Sequence, residues 1–189
     1  PMRKCIYFMM VSLDGFIEDS HKSIECVHID EEIHRFANLR EREVGLHLYG
    51  RRMYELMADF WPTADADPAN PDYIVEYARI WKDMPKMVFS QSLTQVNREN
   101  TILIKEDPIK VITHLKEQPG KDISVGGATF AKTCIDAGLV DEYQLCINPI
   151  ILGSGTPMLP LLSAPLSLEL LETHVFQSGV IFLRYGVKP

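Results

Sequence analysis

Apolar positions run almost without a break from Lys4 to Val11. A run of that kind predicts a β-strand covered on both faces. Ser12-Leu13-Asp14-Gly15 ends it, with Asp14-Gly15 as the turn signal, and Phe16-Ile17 resumes briefly before a polar stretch. The period then changes. Ile33, Phe36, Ala37 and Arg40 recur at helical spacing behind Asp30, a good N-cap, with Glu31 and Glu32 in the first turn where the helix dipole favours acids. Gly45 to Tyr49 reads as a second buried strand closed by Gly50, and Met53, Leu56, Met57 and Phe60 predict a short helix after it. Pro62 to Pro71 reads as a loop. Asn70-Pro71 then opens a helix, with Asn70 as cap and an apolar face of Tyr73, Ile74, Tyr77, Ala78 and Trp81.

The second half repeats the alternation and then abandons it. Met87-Val88-Phe89 and Ile102-Leu103-Ile104 read as short strands, and Asp107-Pro108 opens a helix through Val111, Ile112 and Leu115. Ile123-Ser124-Val125 is a strand running into Gly126-Gly127, followed by a helix carrying Phe130, Ala131, Cys134 and Ile135 that stops at Gly138. Glu142 to Ile147 alternates, with Tyr143, Leu145 and Ile147 on the apolar face, and Pro149 to Pro160 is a loop rich in glycine and proline. Leu166–Thr173 and Val180–Val187 pair as a hairpin about Gln177-Ser178-Gly179. Strands alternating with helices, then strands alone, predict an α/β fold: a mostly parallel central sheet with flanking helices and an antiparallel C-terminal hairpin. Residues 1–189 are expected to form a single domain.

Composition narrows the partners. A net charge of −7 argues against a nucleic-acid partner, which needs a basic face, but leaves room for a small basic pocket. Cys5, Cys26, Cys134 and Cys146 include no C-x-x-C pair, so reduced thiols in a cytoplasmic protein are expected. His28 and His34 near Cys26 match no metal-binding spacing. The opening apolar run is too short to span a bilayer, and neither a signal peptide nor a membrane partner is expected.

Three predicted strand ends carry chemistry: Gly50-Arg51-Arg52, Ser90-Gln91-Ser92 and Gly126-Gly127-Ala128. In an open α/β sheet the carboxyl ends of the strands share one edge, where ligands bind. Arg51 and Arg52 at a helix start oppose the dipole unless an anion compensates, either a ligand phosphate or Glu55 as a salt-bridge partner. Gly126-Gly127 before a helix is either a tight turn or a backbone cradle for an anion. Ser90 and Ser92 offer hydroxyls to a 2′-phosphate or simply solvate a strand end. Asp14-Gly15 is a plain turn or a loop over a reaction centre, with Asp14 as a polar contact.

Taken in order, Ser12-Leu13-Asp14-Gly15-Phe16-Ile17, Leu48-Tyr49-Gly50-Arg51-Arg52-Met53-Tyr54-Glu55, Val125-Gly126-Gly127, Gly138-Leu139-Val140-Asp141-Glu142 and Pro149-Ile150-Ile151-Leu152-Gly153-Ser154-Gly155 resemble the reductase domain of bacterial riboflavin biosynthesis and its dihydrofolate-reductase-like relatives. Phe60-Trp61-Pro62 and the closing Gly179 to Tyr185 strand are similar to single-domain members. The resemblance implies a dihydrofolate-reductase-like fold and NADPH as hydride donor to a small-molecule substrate, a pteridine or pyrimidine-ribose heterocycle. It implies Gly50, Arg51 and Arg52 at the adenosine-side phosphates, Ser90 and Gln91 beside the adenine ribose, and Gly126, Gly127, Ala128 and Thr129 along the pyrophosphate. Gly153-Ser154-Gly155 would close one side of the substrate pocket. Asp14 and Glu32 are the candidate catalytic residues, with Asp30 as the alternative acid. Met53 stands where dihydrofolate reductases carry a hydroxyl, and the fused deaminase domain of the riboflavin enzymes is not expected here. A homodimer formed through the C-terminal sheet region and Pro157 to Leu162 is expected. The competing reading is a non-catalytic nucleotide-binding module on the same fold.

Overall fold

The computed structural model describes residues 2–25 and 27–189. Cys26, grouped above with the reduced thiols, lies outside the described residues. The first half contains strands β1 (Cys5–Val11) and β2 (Phe16–Glu18), helix α1 (Glu31–Arg40), β3 (Val44–Gly50), α2 (Arg51–Ala64) and α3 (Asp72–Asp83). The second half contains β4 (Lys86–Phe89), β5 (Thr101–Ile104), α4 (Pro108–Glu117), β6 (Asp122–Gly126), α5 (Ala128–Asp136), β7 (Glu142–Ile147), β8 (Thr156–Pro157), β9 (Leu168–Val175) and β10 (Ile181–Val187). Among the described residues, eight strands form one sheet in the order β5-β4-β3-β6-β1-β7-β10-β9, and β2 pairs with β8 in a separate two-stranded sheet. Pairings from β5 across to β7 are parallel, and β10 runs antiparallel to both its neighbours. This is the α/β architecture that the alternation of periods predicts, with its antiparallel hairpin at the C-terminal edge.

Helices cover both faces, which is why β1 is continuous in apolar residues and β3 and β4 are nearly so. On one face Tyr7, Leu48, Ile123, Val125 and Tyr143 pack with Ile112 of α4 and with Phe130, Ala131 and Cys134 of α5. On the other, Tyr49 and Val88 pack with Tyr54 of α2 and Trp81 of α3, while Cys146 and Phe182 pack with Ile33 of α1. Each fully buried Leu, Ile, Val or Phe among these contributes roughly 1.5–3 kcal/mol of transfer free energy. Asp30 and Asp107 cap their helices as expected, accepting from Ile33 N and Ile109 N at 3.0 Å each.

Four local expectations need correction. The helix α2 does not stop before Pro62 but runs through it to Ala64. Proline has no N–H for the carbonyl four residues back. Arg98 Nη2 donates to that Ala58 carbonyl instead, at 3.3 Å. The buried face of α2 is also shifted: Met53 and Met57 pack as expected, but Leu56 and Phe60 are exposed, and Tyr54 and Trp61 pack beside Trp81 and Tyr77 in their place. Asn70 does not cap α3; Pro71 occupies the N-cap position, and Asn70 Nδ2 donates back to Ala64 O at 2.9 Å. Finally, the polar positions of β7 face no solvent. Glu142 and Gln144 are buried, on the face of β7 where the Arg184 side chain of the neighbouring β10 lies. Lys4, Arg184 and Gln144 all donate to the Glu142 carboxylate, at 3.0, 2.7 and 3.1 Å.

Candidate functional site

Register brings the predicted strand ends together. Gly50 pairs with Phe89 of β4, and Tyr49 pairs with Gly126 of β6. The starts of α2 and α5 and the Ser90-Gln91-Ser92 segment therefore lie side by side along the carboxyl edge of three adjacent parallel strands. No side chain caps the first turn of α2 or α5. Each turn presents backbone N–H groups that lack partners within the helix, the usual equipment for an anion.

The two glycines at the junction of β6 and α5 do different jobs. A Cβ on Gly126 would lie 2.6 Å from the Tyr49 ring, so this glycine makes room for a core aromatic. Gly127 has φ of +95°, a conformation that turns the chain directly from β6 into α5 at Ala128 and Thr129. Tyr49 is itself fixed by a buried chain of hydrogen bonds. His47 Nδ1 lies 2.9 Å from its hydroxyl, Trp81 Nε1 donates to it at 3.1 Å, and His47 Nε2 meets Glu41 at 2.8 Å. The floor of this edge is therefore rigid.

The two arginines differ sharply. Arg51 Nε donates to Glu55 at 2.9 Å and Nη1 donates to Ser92 Oγ at 2.9 Å. Ser90 Oγ accepts from Ser92 N and Leu93 N and shapes that turn. Gln91 Nε2 donates to Lys105 O at 2.6 Å while Lys105 Nζ donates to Gln91 O at 3.1 Å. Arg51 and these hydroxyls form a donor set of the kind a phosphate requires. Arg52 turns the other way and meets Glu18 with both terminal nitrogens, at 3.3 and 3.1 Å. The sequence reading missed Glu18, Thr156 and Lys105. Only an acid straight after the apolar Phe16-Ile17 pair hinted at the first.

The candidate acids lie on the far side of this edge, around the end of β1 and the start of α1. Asp14 accepts from Ser12 Oγ at 2.7 Å and from the backbone of Leu152 and Gly153 at 3.1 and 2.8 Å. The Ser12 hydroxyl first, and the two amides after it, outweigh the desolvation that raises its pKa and hold the Asp14 carboxyl below its usual value. Glu32 Oε1 accepts from Gln177 N at 3.0 Å, in the turn between β9 and β10. Asp30 caps α1 and lies 3.4 Å from His28 Nε2. Each of Asp14, Asp30 and Glu32 thus has a backbone partner of its own. Among the described residues no group of three or more His, Cys, Asp or Glu is placed to hold a metal ion, and no helix is long and apolar enough to cross a membrane.

Comparison with known proteins fits this arrangement. Residues 3–182 match the RibD C-terminal domain. The chain is 31% identical over 184 residues to YyaP of Bacillus subtilis, an uncharacterized protein, spanning 97% of this chain and 94% of the relative. Among solved structures, a candidate riboflavin biosynthesis protein of Shewanella sp. PV-4 superposes with a TM-score of 0.75 at 21% identity, covering 98% of this chain and 99% of that one. The dihydrofolate reductase of Enterococcus faecalis, solved with NADP(H), superposes with a TM-score of 0.62 at 14% identity, covering 98% and 97%. At such identities these two show the shared fold, which is dihydrofolate-reductase-like.

Proposed function

The chain belongs to the RibD C-terminal domain family, a family of NAD(P)H-dependent reductases, and from that premise we propose that it is an NADPH-dependent oxidoreductase acting on a small pteridine or pyrimidine-ribose heterocycle. The observation that carries this reading is the single edge formed by Gly50, Ser90 and Gly126, with the Arg51 guanidinium among them. Arg51 and Ser92 suit a 2′-phosphate, Gln91 the ribose beside it, and the first-turn N–H groups of α5 at Gly127, Ala128 and Thr129 the pyrophosphate. Bound NADPH supplies a hydride from its nicotinamide ring. The chain's own task is to orient the two reactants and keep water out. Asp14, Asp30 and Glu32 already accept backbone N–H groups, and we assign the proton that accompanies the hydride to water or to a substrate hydroxyl.

Fluorescence titration with NADPH tests the cofactor half. Binding below millimolar concentration is expected, and its absence would overturn the proposal. A screen of pterins and pyrimidine ribosides for NADPH oxidation tests the rest. The engagement of all three acids favours one second reading, a nucleotide-binding module without catalysis. Tight NADPH binding with no oxidation across that screen would select it. The partner we propose is a second copy of the chain. Leu161 and Leu162 are exposed apolar residues, as are Leu170 and Val175 on β9, whose outer edge pairs with no strand among the described residues. Sedimentation should give a dimer for the wild type and a monomer for Leu161→Asp combined with Val175→Asp.

A further inference from the structure

Residues 12–18 and 150–158 form a flap of two loops at the carboxyl end of β1. They are zipped together at several points. Leu13 N donates to Ile150 O at 2.8 Å, Met158 N to Gly15 O at 2.9 Å, and Leu152 N and Gly153 N to Asp14. The short β2–β8 pairing completes the unit, and Gly155 is pressed so closely on the Glu18 carbonyl that no side chain fits there. Among the described residues, one hydrogen-bonded link joins this flap to α2, the ion pair of Arg52 with Glu18. Thr156 Oγ donates to the same carboxylate at 2.8 Å. The Glu18 side chain is 7% exposed and that of Arg52 is 55% exposed. Burial alone would raise the Glu18 carboxyl; the Arg52 and Thr156 hydrogen bonds and nearby cations hold it below its usual value.

That asymmetry decides what Arg52 does. A carboxylate this little exposed is costly to leave ionised and unpaired. A ligand phosphate that drew Arg52 away would strand Glu18 inside the flap, so exchange of partners requires the flap to open. Arg51 carries no such commitment: its partners Glu55 and Ser92 are at the surface. We propose that Glu18 is the clasp of the flap, holding it through Arg52 and Thr156 against the start of α2, and that Arg51 alone of the arginine pair meets the cofactor phosphate. Glu18 and Arg52 are then positioning residues. They keep the flap beside Gly126 at the edge where the reactants meet, and a closed flap excludes water. The part about phosphate rests on the proposed nucleotide site, whereas the clasp itself does not.

Two measurements separate these parts. Hydrogen exchange on the nucleotide-free protein reads the clasp directly. Glu18→Gln, which keeps the shape of the side chain, and Arg52→Ala should each speed exchange of the Leu152, Gly153 and Met158 amides about tenfold, with Arg52→Lys intermediate. Arg51→Ala should leave them at wild-type rates. Unchanged flap exchange in both clasp variants would overturn the proposal, whether or not NADPH binds. The second measurement is nucleotide affinity. Glu18→Gln and Arg52→Ala should weaken NADPH and NADH by the same factor, and the double variant should be no weaker than either single one. If Glu18→Gln tightened NADPH while Arg52→Ala loosened NADPH more than NADH, Arg52 would be a phosphate ligand and the clasp would be wrong. A wild type that binds neither nucleotide would sink the proposed function and leave the exchange result standing.

Discussion

The two sides of the carboxyl edge are built from opposite materials. At the ends of β3, β4 and β6 the site consists of backbone: two uncapped helix starts, a glycine at positive φ, and one arginine at the surface. Around the end of β1 and the start of α1 it consists of carboxylates, and each already accepts a backbone N–H. The first side keeps unfilled capacity for a ligand. On the second, polar capacity is used to join loops that are distant in sequence, Asp14 to residue 153 and Glu32 to residue 177. The difference teaches that an acid near an active edge is no evidence of acid chemistry until its hydrogen bonds have been counted.

The sharpest attack on this comparison begins with a carboxylate whose whole task is the fold. Glu142 is buried and takes hydrogen bonds from Arg184, Lys4 and Gln144. Desolvation raises its pKa, but these donors outweigh it and leave the carboxyl below its usual value. A depressed folded pKa means that the stabilisation is complete above the unfolded value of about 4.3 and is lost as pH falls through the folded one. Glu142→Gln should therefore cost about 3 kcal/mol at pH 7, because Arg184 and Lys4 lose a buried counter-charge. Urea unfolding at pH 7 and pH 3.5 checks it, and the gap between variant and wild type should shrink at the lower pH. An equal gap at both would deny that ionisation matters there.

Two further predictions concern the backbone-built side. Arg51→Ala should weaken NADPH by roughly 10- to 150-fold, about 1.5–3 kcal/mol for a charged hydrogen bond, with a smaller loss for NADH. Its melting temperature should hardly move, since surface pairs such as Arg51–Glu55 contribute little. Equal losses for both nucleotides would mean that Arg51 does not read the 2′-phosphate. Gly126→Ala should destabilise the fold by about 1–3 kcal/mol, because the added methyl meets a Tyr49 ring already bonded to His47 and Trp81. Calorimetry reads this directly. An unchanged melting temperature would show that the ring yields and the floor is soft.

Much of the first side was legible in the sequence, because glycines mark backbone conformation and strands announce themselves by period. Gly50 and Gly126 stand at strand ends as expected, and register alone makes them neighbours. What was not legible depends on partners far away in the chain. Nothing near Pro62 reveals that Arg98 will take the Ala58 carbonyl and let α2 continue. Nothing near Glu142 says that its face of β7 will be covered, since alternation looks the same whether the polar side meets water or Arg184. The divergence of Arg51 and Arg52 is hidden for the same reason: adjacent residues on a helix point about 100° apart, and Glu18 lies 34 positions earlier.

The smallest expected effect is the one that bears most directly on the comparison. Glu32 occupies the helix that carries the substrate-binding acid in the resemblance, yet its Oε1 accepts from Gln177 N across the β9–β10 turn. An exposed hydrogen bond of that kind contributes about 0.5–1.5 kcal/mol, and glutamine retains a carbonyl oxygen that accepts the same proton. Glu32→Gln should therefore lower stability by less than about 1 kcal/mol. It should leave kcat and its dependence on pH as in the wild type, for whichever heterocycle oxidises NADPH. A proton donor behaves otherwise. Its loss removes one limb of the pH profile and lowers kcat about a hundredfold or more while KM stays near its old value. If Glu32→Gln produced that split, the carboxylate would be serving the reaction as well as the turn, and the division between a backbone-built cofactor side and a structural acid side would fail at this residue.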